Sequence, residues 1–173
     1  MPPWGGWLAV AVFLAAQPAA FAADPSSVRG TSPELAQAVA AAFEQSATFR
    51  QLAADVAAAG GLVYVHHGAC GRNVRACLVL DIDRAGPFRI LSIRVDKSKR
   101  GGDLMIAIAH ELHHVLEVLR EPSAVDSTSI RLFFERIAPT ERLSFETQGA
   151  IETELKVDRE LRQWRRAQHA THN

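Results

Sequence analysis

The sequence predicts an α+β domain, and three observations carry that expectation. Apolar residues recur at helical spacing through residues 32–59, then alternate at strand spacing in three short segments between 62 and 95. Beyond residue 100 the spacing returns to helical for the rest of the chain. The expected layout is an N-terminal helix, a three-stranded sheet containing an antiparallel hairpin, a long apolar helix and two further helices.

Residues 1–22 carry no charged side chain, an apolar run extends from Trp7 to Ala16, and Ala20-Phe21-Ala22 forms a small-x-small cleavage signal. This reads as a signal peptide, and Gln17 and Pro18 stop the run well short of the ~20 residues a membrane span needs. An exported protein, periplasmic or secreted and without a stable membrane span after processing, is therefore expected. Residues 23–31 read as a polar lead-in and 32–173 as one domain, since about 150 residues support a single core. Lys and Arg balance Asp and Glu at 19 each, which leaves no electrostatic case for a nucleic-acid partner.

Ser32-Pro33-Glu34 is a helix start, with serine as cap and proline at the first helical position. Leu35, Val39, Phe43, Phe49, Leu52 and Val56 form the apolar stripe of one helix, which Gly60-Gly61 ends. Strands are expected at 62–66, 76–83 and 88–95. The last two carry Leu78, Leu80 and Ile82 against Leu91, Ile93 and Val95, and residues 83–87 are the turn of a hairpin.

Cys70 and Cys77 are the only cysteines. In an exported chain an even, closely spaced pair argues for a disulfide closing the loop between the first two strands. The competing readings are free thiols or a site shared with His66 and His67, although neighbouring strand residues point to opposite faces.

His110-Glu111-Leu112-His113-His114 stands inside the apolar run 104–121, which Gly101-Gly102-Asp103 opens and Pro122 stops. At a rise of about 1.5 Å and about 100° per residue, His110 and His114 share one helix face and can offer imidazole nitrogens to one ion. Glu111 lies a quarter-turn away, placed to touch a water held by that ion. A helix carrying these letters by chance would leave two half-buried imidazoles without partners, which costs free energy.

The HExxH string resembles the zincin metallopeptidases. The resemblance implies a small zincin-like fold, Zn2+ as cofactor, His110 and His114 as ligands and Glu111 as the general base on a metal-activated water. It further implies a peptide or protein substrate laid along an exposed sheet edge, for which residues 88–95 are the candidate. Glu117 and Arg120 stand where the metzincin pattern has Gly and a third His, so the gluzincin arrangement, with a later glutamate as third ligand, is the expected branch.

Helices are expected at 126–137, with Ile130, Phe133, Phe134 and Ile137 as the apolar stripe, and at 145–168. Candidate third ligands are Glu117, Glu135, Glu141, Glu146, Glu152 and Glu154. Glu117, on the motif helix itself, is better placed to support a histidine than to ligate. Projecting the last helix puts Glu146 in the apolar sector with Phe145, Gly149, Ala150, Val157, Leu161 and Trp164, where a carboxylate needs a partner. Glu152 falls just outside that sector and Glu154 at its far margin, so Glu146 is the expected ligand. Tyr64, His66, His67 and His113 are candidate oxyanion donors.

Two rival classes remain. A di-iron bundle needs two E-x-x-H units, and the chain has only Glu111-Leu112-His113-His114. A non-catalytic metal-binding or structural exported protein would keep the same helix without the chemistry.

Overall fold

The computed structural model describes residues 27–71, 74–138 and 145–171, so the expected signal peptide lies outside the described residues. Nine elements follow in order: β1 (Val28–Gly30), α1 (Pro33–Gln45), α2 (Ala47–Ala58), β2 (Gly61–His67), β3 (Ala76–Ala85), β4 (Phe88–Val95), α3 (Gly101–Arg120), α4 (Ser127–Ile137) and α5 (Gln148–Thr171). The architecture is α+β with a mixed four-stranded sheet. Among the described residues no helix is long and apolar enough to cross a membrane.

The sheet order is β1-β2-β4-β3. β1, β2 and β4 run parallel, while β3 and β4 form the expected antiparallel hairpin across Gly86-Pro87, with a register irregularity between Val79 and Asp83. The register brings Val28, Val63 and Leu91 into one row and Val65, Ile93 and Leu78 into the next, all buried. Helices cover that face, because alternate strand residues point to opposite sides. Tyr64, His66 and Ser92 point the other way and remain partly exposed.

Three expectations need correction. β1 falls within the segment read as a polar lead-in, and its three residues are too few to show a period. β4, expected at an exposed edge, is interior: β2 pairs with one side of it and β3 with the other, so the edge arm of the hairpin is β3. The single helix expected over 32–59 is two helices broken at Ser46, which adopts extended backbone.

The break has a clear cause. Ser46 Oγ accepts the Phe49 N–H and donates to Glu160 on α5, while Thr48 donates to Glu160 through both its N–H and its hydroxyl. A carboxylate from α5 thus caps α2, satisfying donors that a continuous helix would bond internally. Gly30 permits the next turn of chain: an added Cβ would stand 2.2 Å from the Ala36 nitrogen at the start of α1.

The long helix α3 packs against α1, α2, α5, β3 and β4 and is the centre of the domain. Twelve of its side chains are buried, including Leu104, Ile108, Leu112, Val115 and Val118, and His110, Glu111 and His114 are among the twelve. Along α4, Ile130, Phe133 and Phe134 are buried as the stripe predicts, but Ile137 at its end is exposed.

Candidate metal centre

One side chain from each of two turns of α3 meets one from the segment that enters α5. The nearest ligand atoms of His110, His114 and Glu146 all lie within 4.8 Å of one another, so the three form a group that could hold a metal ion. His110 Nε2 stands 3.3 Å from Glu146 Oε2, the spacing of about 3.3 Å that two ligands on a tetrahedral ion with bonds near 2 Å would have. The histidine rings meet edge to face, with centroids 5.0 Å apart, and His114 in turn packs edge-on against Phe134.

The other nitrogen of each ring is occupied by a carboxylate. His110 Nδ1 donates to Glu154 Oε2 at 3.1 Å, and His114 Nδ1 donates to Glu117 Oε2 at 2.8 Å. A carboxylate only accepts, so both Nδ1 atoms carry the proton and each Nε2 faces the cluster. This is how a ligating histidine is oriented, and the donor set suits zinc or a similar divalent ion.

Glu146 reaches the cluster by a route the helical projection did not foresee. α5 begins at Gln148, with Thr147 Oγ1 accepting the Ala150 N–H, and Glu146 lies in irregular backbone ahead of that cap. Ala150, Val157 and Leu161 of the expected face of α5 are nevertheless buried, joined by Thr153, while Trp164 is half-buried. Glu135 is exposed, Glu152 is exposed and accepts from Gln148, and Glu141 lies outside the described residues.

Glu117 is a junction. Burial pushes its carboxyl up, but hydrogen bonds from His113, His114 and Thr147, with the charge at His114, hold it down at about 2. It thereby ties the motif helix to the residue next to Glu146. His113 stands under α5, its Nδ1 2.9 Å from Thr153 Oγ1, and an added Cβ on Gly149 would lie 2.3 Å from its Nε2.

His110 and Glu111 respond to the same concentration of charge. Burial alone would lower the His110 pKa, but a hydrogen bond with Glu146 and the charges of Glu111, Glu146 and Glu154 raise it to about 9. Glu111 is buried, and that burial pushes its carboxyl up against the pull of His114 and His110 and a hydrogen bond from the Leu78 N–H of β3.

The cluster stands at the junction of two cavities. The larger, about 720 Å3, is lined by His110, Glu111, Glu146 and charged groups of both signs; the smaller, about 290 Å3, is lined by Glu111, His114, Glu146 and mostly apolar side chains. Cys70 and Cys77 form the expected disulfide beside the smaller one, which is consistent with an oxidising environment.

Of the candidate oxyanion donors, none lines either cavity. His66 pairs with Ser92 on the face of the sheet away from the helices, His67 with Glu34 on α1, and Tyr64 shares the face of His66. The residue that sequence reasoning undervalued is Glu154; its place at the margin of the apolar sector of the last helix was the available signal. The Leu78 N–H left no signal at all, because every non-proline residue carries that group. No family model matches the chain, and no curated protein or solved structure matches it either.

Proposed function

We propose that this protein is an exported zinc-dependent hydrolase of zincin-like design, acting on peptide bonds, with His110, His114 and Glu146 as ligands and Glu111 as general base. The observation that carries this reading is the position of Glu111: a buried carboxyl with its pKa pushed up, next to the ligand group and lining both cavities. A buried carboxylate placed beside a bound water can accept a proton from it and return it.

His110, His114 and Glu146 would hold the zinc, which when bound would supply the Lewis acidity that acidifies water and polarises a carbonyl. The chain's own residues do the rest. Glu154 and Glu117 hold the imidazoles in register, so the ligand nitrogens need little rearrangement. Glu111 takes the proton of the attacking water as the C–O bond forms, then delivers it to the leaving amine as the C–N bond breaks. Among the described strands β3 is the sheet edge, beside Glu111, and an extended substrate would pair along it.

Glu111→Gln tests the assignment, because the amide keeps the shape of the carboxylate but not its basicity. The variant should hold one zinc per chain by elemental analysis and lose peptide hydrolysis by about 10²–10⁴-fold. A parent protein that holds zinc yet cleaves nothing across a broad peptide panel would establish the non-catalytic reading instead.

A further inference from the structure

The two cavities flanking the metal-binding group differ in chemistry. The larger is walled by Arg75, Lys99, Asp103, Asp158 and Arg162, so it offers partners to either sign of charge and discriminates little. The smaller is walled by Leu78, Leu80, Phe134, Phe145 and the Cys70–Cys77 bond, and among the described residues its only ionisable groups are Glu111, His114 and Glu146 at the site itself.

We propose that this smaller cavity is a specificity pocket that seats a bulky apolar side chain of the substrate next to the reacting bond. The assignment rests on the hydrolase reading above.

Two features of the pocket support it. Among the described residues its apolar walls give a charged or amide side chain nothing to bond to, and burying such a group unpaired is unfavourable. Its size is also fixed by covalent and aromatic contacts. The disulfide closes one wall, and Phe134 lies tilted against Phe145, with centroids 5.5 Å apart, while meeting the His114 ring in a T-shaped contact. The wall that shapes the pocket is thus the wall that supports a ligand. Cys77 precedes Leu78, whose N–H holds Glu111, so the disulfide anchors both the pocket and the strand that positions the base. A volume near 290 Å3 with one polar end suits an aromatic or large aliphatic group.

The test reads binding as well as turnover. Zinc-loaded protein is titrated calorimetrically with acetohydroxamic acid and with 3-phenylpropanohydroxamic acid, which share the chelating group and differ in the apolar arm. The arm should tighten binding about tenfold or more through buried apolar area. Leu80→Trp, which fills the pocket, should bring that ratio below about threefold while zinc content stays at one per chain. Leu80→Ala cannot clash, so it guards against a folding artefact, and it should shift the preference toward a naphthyl arm.

Equal affinity for the two hydroxamates, binding of neither by the zinc-loaded protein, or a ratio that neither Leu80 variant changes would overturn the pocket. Discrimination between the hydroxamates without cleavage of any peptide would support the pocket and sink the hydrolase reading. Cleavage with no preference for Phe or Leu over Ala or Glu beside the scissile bond, together with equal hydroxamate affinities, would do the reverse.

Discussion

Glu117, three residues beyond His114 on α3, accepts the His114 Nδ1 proton at 2.8 Å. The contact decides which nitrogen of His114 is left for a metal, and Glu117 also accepts from Thr147, the neighbour of Glu146. One carboxylate therefore steadies two of the three ligands. Glu117→Ala should lower zinc affinity by about 10–100-fold, and Glu154→Ala, which removes a more exposed carboxylate, by less. Competition titration against a chelator of known affinity measures both, and a larger loss from Glu154→Ala would reverse the ranking.

Glu146 and Glu152 separate the third-ligand assignment from its neighbours. Glu146 Oε2 stands 3.3 Å from His110 Nε2, whereas Glu152 is exposed and bonded to Gln148. Glu146→Ala should weaken zinc binding by about tenfold or more, with Glu152→Ala within about twofold of the parent. Circular dichroism on both variants shows whether the chain stays folded, and the opposite pattern would mean that the ligand is misassigned.

The stability of the metal-free protein should decline on both sides of neutrality. Glu117 is held at about 2 from an ordinary value of 4.5, so it contributes stability that is present above 4.5 and is lost as the pH falls through about 2. His110 is raised to about 9 from 6.5, so its contribution is complete below 6.5 and is lost as the pH rises through about 9. Thermal melts of the chelated protein across this range should show both declines, and Glu117→Gln should flatten the acidic one. The proton on His110 also competes with metal, so zinc affinity should rise with pH up to about 9.

Gly149 should resist replacement although it lies on a helix. Alanine in a helix interior usually stabilises relative to glycine by about 1 kcal/mol, but here the new Cβ would lie 2.3 Å from the His113 ring, which Thr153 holds in place. Gly149→Ala should therefore destabilise by about 1–3 kcal/mol in urea denaturation. A variant more stable than the parent would show that His113 is free to turn aside.

What the sequence determined by itself was local. The i, i+4 spacing of His110 and His114 follows from helix geometry alone, and the β3–β4 pairing follows from two alternating segments joined by a turn. Cys70 and Cys77 were readable as a pair because only two cysteines exist, and Ser32-Pro33 marked a helix start because a cap acts within one turn.

The tertiary structure decided whatever depends on residues far apart in the chain. Ser46 breaks the first helix because a carboxylate 114 residues away completes the cap, and no property of the Ala-rich segment announces that partner. β4 lies inside the sheet because β2 pairs with it in parallel, and the same order leaves β3 at the edge beside Glu111. Glu146 was named by projecting a helix it does not belong to; it meets His110 because the next residue, Thr147, caps α5, which starts at Gln148, and Glu117 holds Thr147 against α3. Side-chain periodicity reports the face that an element buries. Which carboxylate arrives at that face, and from which direction, is set by the packing of α5 across α3, where Gly149 and Ala150 allow the two helices to approach.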